Sequence, residues 1–187
     1  MPGMQIVSYL AVENSDSNRH TGMTEYVILV NEKDVPTGEM EKLEAHQKGL
    51  LHRAFSSFIF DSRNRLLLQR RALIKYHSSG LWTNTCCSHP RPGEDTLSAA
   101  RRRLKEEMGI DVNLVKKFEF IYKAGLDNNL TEYEYDHVFV GYCDEAPRPD
   151  PDEVSEFKWM ELDQVKEEIR LFPGQFTEWF KIAIGRF

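Results

Sequence analysis

Apolar and polar residues alternate along most of this chain in runs of strand length. Glu25–Asn31, β-branched and aromatic, predicts a first strand, and Val35-Pro36-Thr37-Gly38 predicts a turn after it. His52–Phe60 and Leu66–Arg70 predict two more strands, with polar Asp61–Arg65 as the hairpin connection. Strand patterns return at Phe118–Lys123, Glu132–Tyr142 and Phe157–Met160, while Ile74–Gly80 and Pro147–Asp152 read as loops. The spacing turns helical at Thr96–Met108, where Leu97, Ala100, Leu104 and Met108 share a face. Asp95 or Thr96 can cap that helix, and Gly109 suits its end. Leu162–Arg170 and Gly174–Ile184 carry the same spacing. The order predicts an α/β fold, a mixed sheet flanked by helices in one domain over residues 25–187. Residues 1–24 are polar around Asn14–Asn18, with one short apolar run from Ile6 to Val12; they are expected to be a partly disordered extension.

Composition narrows the class. With 187 residues, 41% hydrophobic and 29% charged, the chain can close a real core. No apolar run approaches the ~20 residues of a membrane span, and the N-terminus lacks the pattern of a secretory signal. Three cysteines, two of them adjacent, make no disulfide framework and point to a reducing cytoplasm. A net charge of −6 argues against a nucleic-acid partner, so an anionic ligand needs a local cluster. Arg70, Arg71 and Lys75 offer one, and Arg101–Arg103 another, although taken alone both clusters read more readily as a solvated surface.

The candidate chemistry gathers around Cys86-Cys87-Ser88-His89. In an extended segment Cys87 and His89 project to one side, leaving Cys86 on the other as a small buried hydrophobe. Glu106 and Glu107, just ahead of Gly109, are a carboxylate pair suited to Mg²⁺ and a phosphorylated ligand. Glu132 and Glu134 share one face of a strand: either a cation or a retained proton holds them together, or they and Asp136 face solvent. His46, His52 and His89 could add nitrogen ligands for Zn²⁺ or Mn²⁺, though their spacing matches no compact zinc motif. His20 falls in the extension, His77 in an exposed-looking loop, and His137 opposite the glutamate face; these three are expected to be structural or solvated. Phe176, Trp179 and Phe180 read as the buried face of a helix, and Trp82 and Trp159 as core.

Around the first helix the chain resembles the Nudix box, G-x5-E-x7-R-E-U-x-E-E-x-G-U. Glu94, Arg102, Leu104, Glu106, Glu107, Gly109 and Ile110 fit it; Ser88 replaces the first Gly, and Arg103 replaces a metal-binding Glu. That exchange weakens a hydrolase and adds a phosphate ligand. A wider match covers Glu41-Lys42, His46, Leu51-His52-Arg53-Ala54-Phe55-Ser56, Leu67-Leu68-Gln69-Arg70-Arg71-Ala72 and Trp82-Thr83-Asn84-Thr85-Cys86-Cys87-Ser88-His89-Pro90. Together with Arg103 and Glu132-Tyr133-Glu134, it resembles type 1 isopentenyl diphosphate isomerase from about Thr24 to the C-terminal helices.

The resemblance implies a Nudix-like fold that moves a double bond between isopentenyl and dimethylallyl diphosphate. It implies Glu134, supported by Tyr122, on the protonation side, Cys87 opposite, and Trp179 facing the carbocation. A metal site maps to His46, His52, His89, Glu132 and Glu134, and Mg²⁺ to Glu107 with the diphosphate. Lys42, Arg71, Lys75 and Arg103, with Ser88, map to substrate binding. Ser79-Gly80 stands where the family often has Pro-Gly, after a less usual Tyr76-His77-Ser78. A Nudix diphosphohydrolase acting on a nucleoside diphosphate derivative, and a non-catalytic metal-binding module, are the competing expectations.

Overall fold

The computed structural model describes residues 24–187. The expected extension, including His20, therefore lies outside the described residues apart from Thr24. The sheet is built on two parallel strands, β3 (His52–Phe60) and β8 (Thr131–Tyr142), in register from His52 opposite Glu134 to Phe60 opposite Tyr142. β7 (Val115–Gly125) runs antiparallel along the far side of β8. β6 (Cys86–Ser88) runs antiparallel beside β3, with Cys87 opposite Ser56. β1 (Tyr26–Val30) and β2 (Pro36–Glu41) form a hairpin joined to the start of β3. β4 (Arg65–Arg71) leaves β3 through a hairpin and pairs with β5 (Trp82–Thr83) and β9 (Val154–Glu161).

Both faces of the central strands are covered, which is why β3 and β4 read as near-continuous apolar runs. Phe58, Leu66, Leu68 and Val138 pack on one face against α3 (Leu162–Leu171) and α4 (Glu178–Ile184). Phe55, Ile59, Leu67 and Phe139 pack on the other against α2 (Thr96–Met108). Asp95 caps α2 by accepting the Ser98 N–H at 2.9 Å. Gly109 ends it at φ +67°, where an added Cβ would lie 2.9 Å from the Arg148 Cβ and carbonyl oxygen. Leu97 is not part of the buried stripe: it is exposed, and Ala99 and Glu107 join Ala100, Leu104 and Met108 instead.

Three other expectations move. The turn after β1 is Asn31–Val35, where the Asn31 side chain accepts the Lys33 and Val35 N–H groups. Pro36–Gly38 belongs to β2, and Pro36 is tolerated because it opens an edge strand. The seven-residue α1 (Lys42–Lys48) was not foreseen; it carries caps at both ends, the Glu41 carboxylate and left-handed Gly49. The last predicted helix begins late, because Phe176 bridges to Trp82 and α4 starts only at Glu178. No helix among the described residues is long and apolar enough to cross a membrane.

Candidate active site

A pocket opens where α1, the ends of β3 and β8, β6, the loop after β4 and α4 meet. Cys87, Ser88, His89, Tyr122, Glu132, Glu134 and Trp179 line it together with Lys42, Arg71, Lys75, Arg103 and Glu107. His46 and His52 sit behind its wall, fully buried.

The histidines converge by topology. α1 supplies His46, the first residue of β3 supplies His52, the segment after β6 supplies His89, and His52 lies opposite Glu134 in the parallel pair. One ligand atom from each of His46, His52, His89 and Glu134 lies within 4.8 Å of all the others. His46 Nδ1 donates to the Lys42 carbonyl at 2.6 Å and His52 Nδ1 to the Leu50 carbonyl at 2.8 Å. A carbonyl only accepts, so both imidazoles are held with bare Nε2 lone pairs turned inward. His46 Nε2 is buried and has no hydrogen-bond partner among the described residues. His52 Nε2 faces His89 Nε2 at 3.2 Å, and that atom lies 2.9 Å from Glu134 Oε1. Burial pushes the His89 imidazole down to about 3 and also lowers His46, so neither gains a proton near neutrality. His89 Nδ1 has no partner, so only this third ring can place a proton among the converging atoms. Two bare imidazole nitrogens, a third ring and a carboxylate this close fit a divalent cation, and the three-nitrogen, one-oxygen set suits a transition metal.

Glu132 stands beside this group rather than within it. The Tyr122 hydroxyl lies 2.6 Å from Glu134 Oε2, to which it donates, and 3.1 Å from Glu132 Oε2. Burial, reinforced by the Glu134 charge, pushes the Glu132 carboxyl well above the usual carboxylate range. Burial opposes ionisation of Glu134 too, but the neighbouring imidazoles, with His89 Nε2–H free to donate at 2.9 Å, outweigh it and hold that carboxyl low. The two neighbouring carboxyls are thus pushed in opposite directions. Asp136, the next residue on this face, is also buried and accepts the Ser56 hydroxyl at 2.8 Å. The solvent-facing alternative for this strand is therefore excluded. His137 points away and meets Asp34 at 3.0 Å.

Cys87 lines the pocket, whereas Cys86 is sealed against α2. Burial pushes the Cys87 thiol up and Arg71 opposes that shift, so the sulfur carries its proton in this state. At the cationic end, Arg103 donates to Glu107 at 2.7 Å, Glu106 at 2.8 Å and Glu153 at 3.0 Å, and Lys75 also pairs with Glu153. One guanidinium thus ties down three carboxylates that could otherwise share cations. Glu107 further accepts from Gln69 at 3.2 Å, and the buried Gln69 Oε1 has no partner, leaving oxygen donors suited to Mg²⁺. Arg102 grips Glu94 through two bonds of 2.7 and 2.8 Å.

Glu153, Gln69, Tyr76 and His77 were not read from the sequence as site residues. His77 is buried rather than exposed, because the loop turns inward through positive φ at Ser78 (+48°) and Gly80 (+70°). The His77 and Ser78 carbonyls accept the Arg71 guanidinium at 3.1 and 3.2 Å. An aromatic pair, Tyr76-His77, inside an otherwise polar loop was the available signal. Trp82 and Trp159 pack at the core margins, half-buried.

The sheet, the α2 helix and the box residues define a Nudix-domain protein, and a NUDIX domain profile matches residues 50–180. A crystal structure of a Deinococcus radiodurans protein superposes with a TM-score of 0.72 at 18% identity, covering 87% of this chain and 98% of its own. The MutT protein of Methanosarcina mazei Go1 gives 0.59 at 19% identity over 73% and 91%. Sequence relatives are much nearer. The isopentenyl-diphosphate Delta-isomerase of Pectobacterium atrosepticum is 53% identical over 160 residues, 86% of this chain and 89% of the relative. The isopentenyl-diphosphate Delta-isomerase 2 of Photorhabdus laumondii is 55% identical over 163 residues, 87% and 92%. This chain belongs to the isopentenyl-diphosphate Delta-isomerase family.

Proposed function

We propose that the chain interconverts isopentenyl and dimethylallyl diphosphate by moving one proton onto the alkene and another off the neighbouring carbon. A single observation carries the reading: Cys87 and the Tyr122–Glu134 pair line one pocket together with the Trp179 indole and the cations Lys42, Arg71, Lys75 and Arg103. In the forward direction the terminal alkene carbon takes the proton that lies between the Tyr122 hydroxyl and Glu134 Oε2, leaving that pair with one more negative charge, and the allylic methylene loses a proton to the Cys87 thiolate. Cys87 acts as base only in its thiolate form, its own proton having passed to solvent before the substrate closes the pocket, and the Arg71 charge favours that form. The tertiary cation formed between these events needs a dry site and an aromatic face, for which Trp179 is placed.

Lys42, Arg71, Lys75 and Arg103, with Ser88, receive the diphosphate, which would displace Glu153 from Lys75 and Arg103. His46, His52, His89 and Glu134, with Glu132 at their side, would hold Mn²⁺ or Zn²⁺, and Glu107 would hold Mg²⁺ with the diphosphate. Bound there, the ions supply charge that orders the carboxylates and neutralises the anionic ligand. Residues 25–187 are the isomerase domain, residues 1–24 an extension, and the cytoplasm the compartment. Arg103 disfavours the hydrolase alternative. The test is incubation with isopentenyl diphosphate and Mg²⁺ in D₂O: deuterated allylic product is expected. Phosphate release from nucleoside diphosphate derivatives without isomerisation would overturn the proposal.

A further inference from the structure

Beneath the pocket lies a buried polar corner outside the set of acid, base and metal ligands described above. Trp179 Nε1 donates to Asn84 Oδ1 at 3.2 Å, and the Asn84 amide donates to the Cys86 carbonyl at 2.8 Å and the Ser57 carbonyl at 3.2 Å. The same oxygen accepts the Thr83 hydroxyl at 2.9 Å, which in turn accepts the Thr177 hydroxyl at 2.9 Å. Asn84, Thr83 and Thr177 are all fully buried. Thr177 occupies the N-cap of α4 yet makes no capping bond; its hydroxyl is turned to Thr83 instead. The Thr177 N–H also bonds the Trp82 carbonyl at 3.0 Å, so the start of α4 is stitched to β5.

Asn84 therefore touches both walls of the site without facing it. Through one atom it fixes the indole plane; through the other it fixes the backbone of Cys86, the residue before Cys87. An indole in a pocket has a polar edge whose single donor determines which way its face turns. Arg71 lies 5.3 Å from the centre of that ring and the His77 ring 6.1 Å away edge-on, so a rotated indole would meet both.

We propose that Asn84 is a positioning residue that locks the Trp179 ring and the Cys87 strand in one fixed relation, so that the aromatic face and the sulfur address the same substrate carbon skeleton. This rests on the isomerase reading above. A residue acting this way affects chiefly the step that forms the cation, because the cationic groups hang on other elements and Arg71, the one beside the indole, is held in place by the His77 and Ser78 carbonyls.

The experiment is a double-substitution cycle on the metal-loaded full chain, using Asn84→Leu, Trp179→Phe and the pair, with kcat and KM for isopentenyl diphosphate. Asn84→Leu is expected to lower kcat at least 10-fold with KM changed less than 3-fold. In the Trp179→Phe background, whose ring has no N–H to anchor, it should cost less than a further 3-fold. Independent, multiplicative losses in the pair would overturn the proposal, as would a loss confined to KM. Should Asn84→Leu fail to fold, solvent exchange of the Trp179 indole N–H in the parent chain, its resonance assigned by its loss in Trp179→Phe, keeps the proposal falsifiable. Slow exchange is expected of a donor held by a buried Asn84, and exchange as fast as that of a free indole would refute the indole arm. An inactive parent protein would instead strike the isomerase reading itself, so the two failures are distinguishable.

Discussion

Replacing Asp136 by Asn should stabilise this protein at neutral pH and not in mild acid. Asp136 is 1% exposed, one of its oxygens has no partner, and burial followed by the charge of Glu134 pushes its carboxyl up to about 8 from 3.8. The folded state keeps the proton across a window in which the unfolded chain has lost it. The folded pKa is the higher one, so stability is greatest below 3.8, falls as pH rises and levels off above about 8. At pH 7 the group costs about 4 kcal/mol and at pH 5 about 2 kcal/mol. Asn carries no such cost, but brings an amide whose burial without a partner costs about 1–3 kcal/mol. The variant should be more stable by about 1–3 kcal/mol at pH 7, or roughly 2–4 °C in Tm for each kcal/mol. The difference between variant and parent should shrink by about 3 kcal/mol at pH 5, whatever the amide costs. Urea unfolding of both proteins at the two pH values, in chelator, measures this directly. An unchanged difference between pH 5 and pH 7 refutes the reasoning.

Cys87→Ala should abolish isomerisation at unchanged Tm, whereas Cys86→Ala should retain activity and lose about 1 kcal/mol of stability; steady-state rates and thermal melts separate the two. Chelation should lower Tm, with restoration by Mn²⁺ or Zn²⁺, because an ion at 100 times its Kd adds about 2.7 kcal/mol to the native state. His46→Ala should make the melting curve indifferent to chelator, and an equal response would remove His46 from the ligand set. Arg103→Glu restores the box residue, yet should yield no hydrolysis: it sets a fresh carboxylate beside Glu107 and Glu153 and costs about 3 kcal/mol or more. Activity assays against both substrate classes, with a urea titration, check that outcome.

Periodicity located β3, β8, α2 and α3 because each is long and buries a continuous stripe. It missed α1, whose seven residues are too few to show a period and whose helix is held by caps and packing. β7 proved longer than its apolar centre, since Val115–Lys116 and Ala124–Gly125 pair through backbone groups that leave little trace in side chains, with Lys117 at a register shift. The candidate ligands were legible as residue types. Their convergence was not, because the parallel register of β3 on β8, invisible in a single chain, is what sets His52 against Glu134. Asp136 continued the visible i, i+2 pattern, but only the covering layer of helices decides that such a face is buried. Glu153 carried no motif, and Gln69 lay in a matched stretch that gave it no role; they matter because a loop and a neighbouring strand deliver them to Arg103 and Glu107.

The Nudix box in this chain separates into two kinds of position. Glu94 with Arg102 braces the approach to α2, and Gly109 leaves room for the Arg148 backbone, whose loop donates Arg148 and Asp150 N–H groups to the helix's last carbonyls. Those contacts are architectural and survive a change of chemistry. Position 103 differs from them: its guanidinium engages Glu106, Glu107 and Glu153, so the carboxylates of the box are tied to a cation of the chain itself. A scaffold can thus keep most of a signature whose remaining task is to hold a helix in place, while the groups that face the pocket are exchanged around it.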